Sequence, residues 1–238
     1  KDFYESAVAF GHFQHMLSDY PAQTLHETIP HFHDTVSRVE ALRQAIREDR
    51  AGRAQGAQPE IEFALARAEK AGALVNMLAA GELPLRVTHN DTKLNNVLMD
   101  AETGDGVCVI DLDTVMPGFT AYDYGDAVRF AANTAAEDEP DTSKVSLDLR
   151  LCRAFTDGFV GKIRDRLRPE EVNTLPDGLL LITLELAARF LTDYLDGDRY
   201  FKIRTGDHNL VRARNQIALA QDICRKMDNL REIVAQQA

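Results

Sequence analysis

His89-Asn90-Asp91-Thr92-Lys93-Leu94-Asn95-Asn96, followed after two short apolar runs by Val109-Ile110-Asp111-Leu112-Asp113, is the stretch that decides the reading of this chain. It puts an Asp and an Asn on one loop and a pair of carboxylates on a second. Val97-Leu98-Met99 and Val107-Cys108-Val109-Ile110 have the composition of strands, and Asp100-Ala101-Glu102-Thr103-Gly104-Asp105-Gly106 that of the turn joining them. A hairpin brings the residues before its first strand beside those after its second. Asp91, Asn96, Asp111 and Asp113 are therefore predicted to converge at one end of it. Hard oxygen ligands gathered beside a separate Asp suit Mg²⁺-assisted phosphoryl transfer.

Composition narrows the alternatives. At 238 residues, 45% of them apolar, the chain suits one large domain, or a domain with an appendage, around a sizeable core. No apolar run approaches the ~18 residues that span a membrane. Acidic residues number 38 against 27 basic ones, which argues against nucleic acid as a partner. Cys108, Cys152 and Cys224 are odd in number, widely spaced and set among apolar neighbours; they read as buried thiols of a reducing cytoplasm.

Along the chain the apolar pattern is mostly helical. Phe3, Ala7, Phe10, Phe13 and Leu17 recur at helical spacing up to Pro21. Helices are predicted over 30–49, 58–80, 122–132, 144–163 and 168–174, with Met116-Pro117-Gly118 as a turn and 137–141 as a charged loop. Residues 177–196 are apolar on nearly every side, the mark of a buried helix. In the last helix Leu210, Ala213, Ile217, Ala220, Cys224 and Met227 form a stripe. The fold class is thus mainly α (α+β): a helical domain with a small β-hairpin at its functional end.

The order His-x-Asp-x₄-Asn, hairpin, Ile-Asp resembles the catalytic and metal loops of the protein-kinase-like superfamily. Protein kinases carry His-Arg-Asp and Asp-Phe-Gly there; His89-Asn90-Asp91 and Asp111-Leu112-Asp113 argue instead for a small-molecule acceptor, as in aminoglycoside and choline kinases. Further stretches resemble the N-acetylhexosamine 1-kinases in particular: Leu25 to Pro30, Arg86 to Lys93, Val109 to Gly118, Tyr122 to Asp126 and Arg189 to Asp198. The resemblance implies ATP and Mg²⁺ as cofactors and a sugar as the phosphoryl acceptor, its anomeric hydroxyl becoming the 1-phosphate. Such kinases hold ATP against a smaller N-terminal lobe with a Gly-rich loop and a strand Lys. Neither motif occurs here. The chain reads as the C-terminal catalytic and substrate-binding lobe without its ATP lobe, either cut from a longer kinase or never joined to one. Alone, it is expected to turn over little or nothing.

Roles follow for single residues. Asp91 is the candidate to receive or orient the acceptor hydroxyl. Lys93 is placed to neutralise charge on the transferring group. Asn96 and Asp111 are the expected Mg²⁺ ligands. Asp113 would share a side with Asp111 if the stretch is extended, as a further metal ligand or as a partner for the sugar. His89 is expected to brace the two loops, and Asp126 to fix the backbone of the catalytic loop. The few charges of the oily helix, Glu185, Arg189, Asp193 and Asp196, share one stripe. They form either a self-satisfying ladder or the wall of a sugar pocket. The family resemblance puts Arg189 and Tyr200 on the acceptor sugar. His26, His31 and His33 fit no standard zinc spacing and read as a loop packing over the substrate mouth.

Two other functions compete. A cationic acceptor of the aminoglycoside or choline type would want carboxylates or aromatics around it, and the absence of tryptophan and the presence of Arg189 count against it. A non-catalytic sugar-binding module is the other. A sulfatase-like hydrolase would need a nucleophile motif that none of the cysteines shows.

Overall fold

The computed structural model describes residues 1–237. Helices α1 (Asp2–Met16), α2 (Thr35–Glu48), α3 (Gln58–Leu65) and α4 (Ala73–Ala79) precede four short strands: β1 (Arg86–Thr88), β2 (Val97–Met99), β3 (Gly106–Val109) and β4 (Met116–Gly118). Helices α5 (Thr120–Ala131), α6 (Leu149–Ile163), α7 (Pro169–Asn173), α8 (Leu175–Asp196), α9 (His208–Arg225) and α10 (Met227–Ala235) follow.

The strands make two antiparallel pairs. β2 and β3 form the predicted hairpin, with Val97 opposite Val109. The Asp100 carboxylate accepts the N–H groups of Glu102 and Thr103 and so closes its turn. β1 pairs with β4, Thr88 opposite Met116. Met116-Pro117-Gly118 is therefore a strand, not the expected turn. A partner distant in sequence satisfies its backbone and overrides the local Pro-Gly preference.

Several helix limits also differ from the sequence reading. The helix expected from residue 30 starts at Thr35, because Asp34 accepts the Ser37 N–H at 2.9 Å and caps it. The segment 58–80 breaks through a 3₁₀ turn at Ala68–Gly72. There the Arg67 guanidinium lies back over the Phe63 ring, and Gly72 weakens helix preference. α6 starts at Leu149, capped by Asp148. The final stripe is split by the α9–α10 corner, and it is Ile223, not Cys224, that is buried. Only Cys152 is a buried thiol; Cys108 and Cys224 are exposed, on the open face of the hairpin and the outer side of α9.

The main core joins α1, α5, α6 and α8, with Phe10, Tyr124, Phe155 and Phe159 almost wholly inaccessible. A second cluster packs α2 and α3 against the C-terminal half of α8, around Leu42, Ile61, Leu191 and Leu195. What sets the site is the crossing of α5 and α8. A Cβ on Gly125 would lie 2.8 Å from the Gly178 backbone, and one on Gly178 would strike the Ala121 carbonyl. Only glycines allow so close an approach, which holds the polar face of α5 against the charged stripe of α8.

Candidate active site

β1 ends at Thr88, and the chain turns sharply at Asn90, whose φ of 64° is left-handed. Asparagine tolerates this conformation because its short side chain can bond locally. Here Asn90 Nδ2 donates to the Thr114 carbonyl at 2.9 Å, and Oδ1 accepts the Thr88 hydroxyl at 2.9 Å. The second loop has a matching feature at Asp111, φ 62°. Non-glycine residues held left-handed cost energy and cluster where a site over-determines them.

The two loops are laced together. His89 Nε2 donates to the Ile110 carbonyl at 2.9 Å, which leaves Nδ1 to accept the Asp91 N–H at 3.3 Å. The Thr114 hydroxyl donates to the His89 carbonyl at 2.7 Å, and the Ile110 N–H to the Asn96 carbonyl at 2.9 Å. The buried His89 ring also meets the edges of Phe10 and Phe13. His89 thus bridges the two loops and has no lone pair left for proton transfer.

Asp91 Oδ1 lies 2.6 Å from Lys93 Nζ, and Oδ2 accepts Asn96 Nδ2 at 2.9 Å. Each carboxylate oxygen retains a lone pair for an incoming hydroxyl. Asn96 Nδ2 also donates to the Asp91 carbonyl at 2.8 Å, so its amide oxygen is turned away from Asp91 and has no hydrogen bond among the described residues. Asp111 and Asp113 are exposed, and among the described residues neither carboxylate makes a hydrogen bond or ion pair. Leu112–Thr114 is a 3₁₀ turn rather than an extended segment. The strand alternation that would have set Asp111 and Asp113 on one side therefore does not apply.

The backbone of the loop that carries Asp91 is held by Asp123, correcting the expectation for Asp126. The Asp123 carboxylate accepts the N–H groups of His89 at 2.8 Å and Asn90 at 2.7 Å, and the Gln14 amide at 2.6 Å; its carbonyl takes the Thr92 hydroxyl. Burial pushes the Asp123 carboxyl above the usual carboxylate range, while the His89 ring and these donors pull against it. Three residues on, Asp126 instead bonds Arg129 at 2.8 Å and lines the cavity that Asp91 faces. Burial alone would raise Asp126, but Arg129 overrides it and holds the carboxyl below its ordinary range.

Asp91, Lys93, Asp126, Arg129, Arg189 and Tyr200 face one cavity of about 410 Å³. The ladder along α8 does not form. Glu185 bonds His33 at 2.9 Å. Asp193 accepts the N–H groups of Arg199, Tyr200 and Phe201 and the Asn209 amide, which shapes the segment that carries Tyr200. Asp196 lies 3.5 Å from Arg50. Arg189 makes no hydrogen bond or ion pair among the described residues; its guanidinium lies over Phe32, Tyr200 and Phe201 at 5.5–5.9 Å. Sequence reasoning missed Arg129 and the partner of Glu185. The signal for the second was a carboxylate in an oily helix, which demands a partner; the partner came from another element.

Two adjoining loops thus present carboxylate and amide oxygens beside Asp91, next to a small hairpin on a mainly helical fold. The profile of the phosphotransferase enzyme family (APH) matches residues 4–157, and the chain belongs to that family. Among solved structures it is similar to a choline kinase from Cryptosporidium parvum Iowa II, with a TM-score of 0.58 and 12% identity over 95% of this chain. That match covers 66% of the choline kinase chain, so this chain spans just under two thirds of its length. The likeness establishes a mainly helical, kinase-like fold.

Proposed function

We propose that this chain is the catalytic and acceptor-binding lobe of an ATP-dependent kinase that phosphorylates the anomeric hydroxyl of an N-acetylhexosamine. The observation that carries the reading is that Asp91 and Arg189 face one cavity. One is poised to orient an alcohol, and the other is a guanidinium with no internal partner.

The donor set fits magnesium. Asp111 is an exposed carboxylate without an internal partner, and Asn96 has an uncommitted amide oxygen on the adjoining loop. No three His, Cys, Asp or Glu side chains among the described residues are grouped to hold a metal by themselves. Mg²⁺ does not require that, since it takes one or two protein oxygens and completes its shell with water and phosphate. When bound, Mg·ATP supplies the phosphoryl group and offsets its charge. The chain's own part is to seat the acceptor hydroxyl on a free Asp91 lone pair and take its proton as the new bond forms. Lys93 holds Asp91 in place and lies beside the charge that develops on the phosphoryl oxygens. An ATP-binding lobe in the same polypeptide would close over the exposed hairpin.

A cationic acceptor fits less well. Lys93, Arg129, Arg189, Lys202 and Arg212 line the cavity against four carboxylates, Asp91, Asp126, Glu137 and Glu185, and Arg189 already covers aromatic faces that would attract a quaternary ammonium.

The test is ATP consumption by the full-length protein over a panel of sugars and amino alcohols, with Asp91→Asn beside it. N-acetylhexosamines are expected as substrates, and the variant to lose roughly 10²–10⁴-fold in kcat while still binding Mg·ATP. Equal turnover in both proteins removes Asp91 from the reaction. A preference for choline or aminoglycosides replaces the acceptor class.

A further inference from the structure

Arg189 also lines a second cavity, of about 380 Å³, that no residue of the loop carrying Asp91 reaches. Helix α2 contributes Arg38 to it, α8 contributes Arg189, Asp193 and Asp196, and the segment after α8 contributes Arg199. Arg189, Tyr200 and Phe201 belong to both cavities and form the wall they share.

Three guanidiniums line it with little to answer them. Arg38 donates through Nη2 to the Phe32 carbonyl at 3.1 Å and forms no ion pair among the described residues. Arg189 has no partner there, and of Arg199 only the backbone N–H is used, by Asp193. The carboxylates of the cavity do not close the gap. Asp193 spends both oxygens on the N–H groups of Arg199, Tyr200 and Phe201 and on the Asn209 amide, and Asp196 faces Arg50 at 3.5 Å. Burial and the Arg189 charge hold the Arg38 guanidinium below its ordinary range, against the pull of Glu185 and Asp34. Acidic residues outnumber basic ones 38 to 27 in this chain, so a shortage of carboxylates does not explain unpaired arginines gathered in one place. Like charges so gathered repel one another, and an anion between them converts that repulsion into attraction.

We propose that Arg38, Arg189 and Arg199 bind a phosphate monoester in this second cavity, and that its binding competes with the acceptor for Arg189. A phosphate monoester carries about two negative charges on its terminal oxygens, which suits several guanidinium forks, whereas a carboxylate is served by one. A cavity of about 380 Å³ also has room for the organic part of a small phosphorylated metabolite. The competition rests on the acceptor reading above; the site itself does not.

The experiment is titration calorimetry of the full-length protein with glycerol 3-phosphate, without Mg²⁺ or nucleotide so that the metal loop takes no part. Glycerol, acetate and inorganic phosphate run beside it. The ester is expected to bind, glycerol not to, and acetate and inorganic phosphate to bind more weakly. Arg38→Gln and Arg199→Gln should each weaken the ester roughly tenfold or more. The Arg199 guanidinium supports nothing in the fold, so that variant serves even if Arg38→Gln does not fold. Lys202→Gln, which lines the acceptor cavity alone, should bind the ester as the wild type does. In the ATP-consumption assay the ester should raise the acceptor KM without lowering kcat, and Arg199→Gln should blunt that rise. No binding by the wild type, or wild-type affinity in Arg199→Gln, overturns the site. A loss in Lys202→Gln alone puts the anion in the acceptor cavity and overturns it too. Equal affinity for inorganic phosphate overturns the choice of an ester, and an unmoved acceptor KM overturns the competition. If no sugar is turned over, the acceptor reading falls while calorimetry still decides the site.

Discussion

Asp123 and Asp111 both lie beside the loop that carries Asp91, and the fold treats them in opposite ways. Asp123 is 1% exposed and spends both carboxylate oxygens on buried donors of that loop and of α1. Asp111 is exposed, held in a left-handed turn, and bonded through its side chain to nothing among the described residues. One carboxylate is consumed in making the loop rigid, and the other is kept open. Positioning a reacting group needs saturated, buried bonds behind it, whereas binding a cation needs oxygens that nothing else has claimed. The same contrast recurs on α8, where Asp193 is saturated by backbone N–H groups while Arg189 stays uncommitted.

Removing the saturated member should do the most damage. Asp123→Ala would strand the N–H groups of His89 and Asn90 and the Gln14 amide in a dry interior. It is expected to cost about 3–5 kcal/mol in denaturant unfolding and to abolish turnover as well. Asp111→Asn should separate the two quantities. Its stability is expected to stay within about 0.5 kcal/mol of the wild type, while Mg²⁺-dependent turnover falls roughly 100-fold or more. A large stability loss in this variant would place Asp111 with the scaffold and erase the contrast.

A smaller effect should come from the helix crossing that brings the two kinds of group together. A methyl on Gly178 meets the Ala121 carbonyl, so Gly178→Ala is expected to cost about 1–3 kcal/mol of overpacking. Because α5 and α8 carry opposite walls of the cavity, acceptor KM should rise with little change for ATP. The smallest effect is on pH dependence. The folded-state pKa of His33 is raised, so its contribution to stability is complete below the unfolded value of about 6.5. That contribution is lost as pH rises through the folded value. The stability gap between wild type and His33→Gln, followed by thermal unfolding, should narrow steadily above about pH 6.5. A gap that widens with pH would mean that His33 is neutral in the fold.

The hairpin 97–109 was legible in the sequence because its information is local: two apolar runs, a turn with Asp and Gly, and polar loops on either side. The helical bulk was legible for the same reason, in its 3.6-residue apolar rhythm. The strand at Met116–Gly118 was not, because its partner lies at 86–88 and its own residues favour a turn. The site divides likewise. Asp91, Asn96 and Asp111 stand out because one short motif fixes their order. Asp123 and Asp126, on one helical turn, differ in the partners the fold brings to each: Gln14 and the His89–Asn90 backbone for one, Arg129 for the other.

By itself, then, the sequence determined the periodicities, the turn chemistry and the ordered set of acidic and amide residues, since each depends on neighbours along the chain. Only the tertiary structure decided which charges are spent and which stay open. The sequence left Glu185 either in a ladder with Arg189 four residues on or in a pocket wall; in the fold it pairs with His33, 152 residues away. The physical reason is that a buried charge takes the best donor the folded interior brings to it. Distance along the chain does not enter that choice.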